Sequence, residues 1–287
     1  MKHDEHGNRN TTNMLYSIDA ATESIDLDRF ADTGYVILRG CLGDVAPLRA
    51  TITDMLKGSG IDLSDATTYH TGEKWHLWDS SKANSNSEGA HARLPRAIDL
   101  PGLDRLRRHL DALHGCADWK FIDDGHCLLG KWATDTVHVR YPRPEKKPWR
   151  PPALGYHIDG AHFDPHYYDS PEQSAIVLPV VSDVARGGGS TVVVPGSHRR
   201  VRDRLANSGG LSYAGLFALA HWIGLRAKFA GACLETAPCD AGDVLVMHPL
   251  LVHSASGNAT AAPRLAFNMG VRWSCDAPRE SALFSRH

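Results

Sequence analysis

The tripeptide His157-Ile158-Asp159 places two metal-ligating side chains at positions i and i+2. On an extended strand, residues so spaced point to the same face. A further histidine, His253, follows 94 residues after Asp159, just past an apolar run at 244–248. Two imidazoles and one carboxylate on one side of a coordination sphere leave three positions open. That suits a non-haem iron(II) ion that must also take a co-substrate and O2. A bare H-x-D is common surface sequence, so the pattern gains weight only with a partner. Arg264, eleven residues after His253, opens an alternating stretch, RLAFNMGVRW. A guanidinium is the side chain best fitted to grip a carboxylate through two parallel hydrogen bonds. His157, Asp159 and His253 are thus the candidate catalytic metal ligands, and Arg264 is the candidate anchor for a dicarboxylic keto acid.

Around these residues the chain resembles the phytanoyl-CoA dioxygenase group of iron(II)- and 2-oxoglutarate-dependent oxygenases. The likeness is carried by FADTGYVILRGCL, YHIDG, GGGSTVVVPGSHRR and GDVLVMHPLLVHSASGN followed by PRLAF, in the family's order and spread over nearly the whole chain. The resemblance implies that His157, Asp159 and His253 hold Fe(II) and that Arg264 binds the distal carboxylate of 2-oxoglutarate. It implies a dioxygenase that consumes O2, converts 2-oxoglutarate to succinate and CO2, and hydroxylates or otherwise oxidises a C–H bond of a small molecule. It also implies a double-stranded β-helix, the jelly-roll of cupins. In several members a serine two residues after the distal histidine helps the arginine. Here that position is Ala255, and Ser254 or Ser256 is the candidate substitute. Thr191 is the next candidate contact to 2-oxoglutarate. Arg140 serves either the keto-acid end or the substrate, unless it is an exposed strand arginine. Related halogenases lack the carboxylate ligand, so Asp159 favours hydroxylation over halogenation. Relatives act on acyl-CoAs, amino acids, osmolytes and specialised metabolites, and tailoring of a small metabolite is the preferred reading.

Strand parity extends the candidate set. If Arg264 points inward, Ala266, Asn268, Gly270 and Arg272 share its face, while Leu265, Phe267, Met269, Val271 and Trp273 point outward. Arg272 and Asn268 are then candidate substrate contacts. Trp75 and Trp78 could stack on substrate from a lid, and His162 could line the pocket from the loop after Asp159. His248 lies at an odd offset from His253 and is read as structural.

These residues need a scaffold, and the hydrophobic pattern supplies one. The stretch 25–120 reads as helical support, with helices at 44–57 and 103–113 and a strand at 35–38. From about residue 121 short β-rich runs at 136–141, 176–181, 191–194, 244–248 and 265–273 alternate with turn clusters, broken by a helical insertion near 200–230. Many short strands with regular turns indicate a sandwich or barrel. The expectation is a mainly β, jelly-roll core at 121–287 within one domain, 25–287, after a flexible leader at 1–24.

Composition narrows the class without choosing the chemistry. The 287 residues are 42% hydrophobic and carry a net charge of −2, so neither disorder nor general attraction to nucleic acid or membrane is expected. Six scattered cysteines without a C-x-x-C pair argue for free thiols in a reducing cytoplasm. The polar N-terminal stretch lacks the apolar segment of a secretory signal. The expected partner is a small-molecule substrate. Two other classes stay open: a non-catalytic cupin-type binding protein and a zinc hydrolase, which also uses two histidines and a carboxylate. The second leaves Arg264 unexplained.

Overall fold

The computed structural model describes residues 15–58, 60–69, 89–93, 100–121, 136–142, 149–159, 174–208 and 211–273. In chain order these form β1 (Ser17–Asp19), α1 (Leu27–Thr33), β2 (Tyr35–Arg39), α2 (Ala46–Gly58), β3 (Gly89–Arg93), α3 (Leu103–His114), β4 (Trp119–Phe121), β5 (Thr136–Arg140) and β6 (Ala175–Pro179). Then follow β7 (Thr191–Val193), α4 (Ser197–Ser208), α5 (Tyr213–Phe229), β8 (Leu234–Glu235), β9 (Val244–Met247), β10 (His253–Ala255), β11 (Arg264–Phe267) and β12 (Met269–Trp273). The architecture is mainly β with flanking helices, a jelly-roll of one large and two small sheets. The large sheet has the order β1-β2-β9-β6-β12-β4, and the small ones are β10-β7-β8 and β11-β5-β3. All pairings are antiparallel except β1 with β2.

The central strands β2, β9 and β6 are almost wholly apolar, and their hydrophobic residues are buried on both faces. Such strands need cover on each side. Leu48, Ile52 and Leu56 of α2 and Leu106, Leu110 and Leu113 of α3, at helical spacing, join one core with Val36, Leu38, Val177 and Val246. A second core gathers Tyr156, Ile158, Val192, Val194 and Val252 against Leu216, Ala220, Ile223 and Ala227 of α5. The turn from α1 into β2 depends on Gly34, whose φ of 79° closes the helix through a bond from its N–H to the Phe30 carbonyl. No helix among the described residues is long and apolar enough to cross a membrane.

Three expectations need correction. Residues 15–24, expected to lie in a flexible leader, are built into the fold: β1 pairs with β2 over Ser17–Asp19, and the Tyr16 hydroxyl both donates to the Asp26 carbonyl and accepts from its N–H. Residues 25–120 are more than helical support: β2 lies within the large sheet, between β1 and β9, and β4 forms an edge. The run 265–273 is two strands, not one. β11 pairs with β5 and ends at Phe267, and β12 starts at Met269 on β6 in a different sheet. A sheet change over a single residue leaves the alternation of side chains unbroken in the sequence. The residues expected to point outward, Leu265, Phe267, Met269 and Val271, are buried in the first core.

Candidate metal centre

The ligand strands meet at one point. His157 and His253 form an antiparallel bridge, with N–H to carbonyl bonds of 2.9 and 3.0 Å in the two directions. Their rings lie 4.4 Å apart between centroids, and one ligand atom from each of His157, Asp159 and His253 falls within 4.8 Å of the others. Alternation explains the aim of the side chains. Tyr156, Ile158 and Val252 turn into the core beside α5, so the histidines and Asp159 turn the other way.

Both histidines are oriented alike. Nδ1 of His157 bonds the Gly155 carbonyl at 2.8 Å, and Nδ1 of His253 bonds the Leu251 carbonyl at 2.9 Å. A carbonyl only accepts, so Nδ1 carries the proton and Nε2 presents a lone pair. Those Nε2 atoms stand 3.4 and 3.7 Å from Asp159 Oδ1. That oxygen is buried and accepts no hydrogen bond, while Oδ2 takes one from the Asn268 amide at 3.2 Å. Burial pushes the Asp159 carboxyl up, but His253, His157 and Asn268 outweigh it and hold the group well below the carboxylate range. Burial, helped by His157, pushes His253 down to about 4. Burial also acts downward on His157, yet the adjoining Asp159 reverses it and the net direction is up. Two aligned imidazole lone pairs and an unsatisfied carboxylate oxygen are the donor set a divalent transition metal takes.

Arg264 is buried on the strand beside Arg140, its Cα partner in the β11–β5 register. On this pair Arg264, Ala266, Arg140 and His138 share one face, and Leu265, Phe267, Val137 and Val139 the other, core-facing one. Burial and the Arg140 charge push Arg264 down to about 10, which leaves it cationic at neutral pH. Among the described residues no carboxylate pairs with Arg264. A buried cation without an acidic partner is costly unless an anion from elsewhere joins it. The turn joining His253 to Arg264 is built on Asn258. Its Nδ2 donates to the Arg140 and Ala262 carbonyls, and its Oδ1 accepts from the Thr260 N–H and hydroxyl.

Other expected site residues divide. Thr191 is buried and pairs with Ala255 while Val193 pairs with His253, which puts Thr191 on the histidine's side of the β7–β10 sheet. Arg140 is close enough for its charge to act on both Arg264 and His157, so it is no exposed strand arginine. Ser254 points away: it pairs with Val192, and its hydroxyl reaches the Leu154 and Ala255 carbonyls at 3.4 Å each. The Ser256 hydroxyl donates to the Ser190 carbonyl at 2.8 Å. Asn268 reaches the centre as a support for Asp159. Arg272 lies opposite Lys120, about 13 Å of strand beyond Asn268, and is not brought to the triad. His248 accepts the Leu250 N–H and packs 4.7 Å from the His198 ring, as a structural group would. Trp75, Trp78 and His162 lie outside the described residues. The carbonyls of Gly155 and Leu251 and the Asn258 turn were missed; carbonyl aim has no side-chain signature.

The family model for phytanoyl-CoA dioxygenase (PhyH) matches residues 30–266, and the chain belongs to that family. It is a non-haem Fe(II)- and 2-oxoglutarate-dependent oxygenase, with O2 as second co-substrate. Among curated proteins none matches the chain. Solved structures share the fold at low identity. The carbocyclase SnoK from nogalamycin biosynthesis is 16% identical with a TM-score of 0.51, over 89% of this chain and 86% of SnoK. The epimerase SnoN, solved with Fe3+, alpha ketoglutarate and nogalamycin RO, is 19% identical with a TM-score of 0.51, over 86% of this chain and 81% of SnoN. EvdO2 from Micromonospora carbonacea var. aurantiaca is 16% identical with a TM-score of 0.53, over 96% of this chain and 99% of EvdO2.

Proposed function

We propose that the protein hydroxylates an aliphatic C–H bond of a small metabolite, as a tailoring enzyme of specialised metabolism. One observation carries this reading: three metal-ligating side chains converge, the two histidines with Nε2 already aimed, in a chain whose buried Arg264 has no acidic partner among the described residues. His157, Asp159 and His253 hold Fe(II), and Arg264 takes the distal carboxylate of 2-oxoglutarate. When bound, the metal supplies the oxidising chemistry, in which O2 and 2-oxoglutarate become succinate, CO2 and the oxygen atom inserted into the substrate.

The chain's own residues orient and protect. The Gly155 and Leu251 carbonyls fix the imidazole tautomers, and Asn268 keeps Oδ2 of Asp159 engaged so that Oδ1 faces the metal. Thr191 flanks the co-substrate from β7. Arg140, next to Arg264 on the same face, adds a second positive charge, which favours a substrate or co-substrate group that is anionic where it meets β5. The apolar residues behind the ligand strands keep water from the reacting centre. SnoN, solved with a small natural product, and SnoK, from the same biosynthesis, support a metabolite as the class of substrate. A zinc hydrolase gives Arg264 no task. The reading includes a cytoplasmic location, where the described cysteines, all free, remain reduced.

The test is a metabolite screen with Fe(II), 2-oxoglutarate and ascorbate, scored by substrate-stimulated succinate release and by a product heavier by one oxygen. A product lacking two hydrogens instead would assign desaturation or ring closure. Full activity with zinc in place of iron and without O2 would overturn the oxygenase reading.

A further inference from the structure

Among the described residues, the segment that carries His157 and Asp159 exchanges few backbone bonds with the rest of the chain. Within 149–159 the only backbone–backbone bonds to the rest of the described chain are the two exchanged with His253. Something else must fix how far the two ligands project. Tyr156, fully buried, points backward from His157 and meets α5 at Gly224. A Cβ built on Gly224 would lie 2.1 Å from Tyr156 Cγ and 2.4 and 2.5 Å from its two Cδ atoms. The ring therefore occupies the space that any other residue at 224 would need, face-on against the helix backbone. Ile223, Ala220 and Ala227 of α5 and Ile158 of the ligand segment belong to the same buried cluster, and the phenol oxygen ends 3.3 Å from Cys233 Sγ.

We propose that Tyr156 and Gly224 form a ring-in-notch contact that positions His157 and Asp159 for the metal. Tyr156 is a positioning residue acting through its neighbour, and Gly224 is the helix position that lets it seat. This rests on the metal-centre reading above and adds the element that sets its geometry. A methyl group at 224 displaces the ring, and the displaced ring carries the adjoining backbone with it. Because among the described residues one bridge opposes that motion, the displacement is delivered to the ligands. The phenol hydroxyl is not needed for this role; the ring is.

The test uses the full chain without substrate and reads metal binding rather than turnover. Calorimetric titration with Co(II), with the visible absorption of the Co(II) complex as a record of ligand geometry, is made on the parent and on Gly224→Ala, Tyr156→Phe, Tyr156→Leu, Tyr156→Ala and Tyr156→Ala/Gly224→Ala. Gly224→Ala should raise the Kd for Co(II) about tenfold and alter the absorption, as loss of an outer support to a metal ligand does. Tyr156→Phe should match the parent. In the double variant the added methyl has room, so its Kd should be no worse than that of Tyr156→Ala alone. Should Gly224→Ala not fold, Tyr156→Leu decides, with a weakened and spectrally altered site expected. A parent-like Kd and spectrum in whichever of these folds would overturn the proposal. Failure of the parent itself to bind Co(II) would overturn the metal-centre reading and with it this one.

Discussion

At the scale of single residues the site separates ligands, anchors and supports, and each has its own signature. If Arg264 anchors the distal carboxylate as proposed, replacing it with Ala should raise the KM for 2-oxoglutarate about a hundredfold, near 3 kcal/mol for a bidentate charge-assisted pair. Steady-state kinetics with varied 2-oxoglutarate check this; an unchanged KM would remove Arg264 from the co-substrate site. Asn268→Ala should weaken Fe(II) binding about tenfold by freeing Asp159 Oδ2, measured by anaerobic metal titration. Ser254→Ala should leave the KM for 2-oxoglutarate unaltered, since its hydroxyl is spent on backbone carbonyls. The convergence of His157, Asp159 and His253 was legible because those residue types are rare in that order. Ser254 misled because its neighbourhood matched the family while its strand parity did not. The family's serine place is Ala255, on the His253 side, and an adjacent residue on a strand cannot reach that side.

Elements show why part of the scaffold escaped the sequence. Strands with apolar runs, such as β2, β9 and β6, were recognisable, as was the leucine spacing of α3. The change of sheet at Asn268 was not, because one residue shifts the partner without shifting the period. Nor was the importance of β2, since a five-residue apolar strand looks the same at a sheet's edge and between two other strands. Its position between β1 and β9 leads to a stability prediction: Ile37→Ala should cost about 2–5 kcal/mol in denaturant unfolding, the range for emptying a filled core site. A cost within a few tenths of a kcal/mol would mean β2 is peripheral, as the helical-support expectation had it.

For the whole molecule the high histidine content has a consequence for acid stability. His114 and His198 are buried, and burial is the leading cause that pushes each down to about 4 from the ordinary 6.5. Above pH 6.5 both are neutral in folded and unfolded chains alike. As pH falls, the unfolded chain takes up protons that the folded chain refuses, so stability drops between about pH 6.5 and 4. The slope is about 1.4 kcal/mol per pH unit for each histidine. Unfolding midpoints across that window should fall for the parent and fall less for His114→Gln; equal slopes would show that His114 is not held neutral.

The claim on which all else depends is that His157, Asp159 and His253 form an iron centre that couples O2 to 2-oxoglutarate. Its most direct measurement is succinate formation by the protein reconstituted anaerobically with Fe(II) and 2-oxoglutarate, then exposed to O2 with a responsive substrate, in parent and Asp159→Ala. The parent should release succinate in step with substrate oxidation, and Asp159→Ala, folded as the parent is, should release almost none. Undiminished succinate release from Asp159→Ala would contradict the assignment.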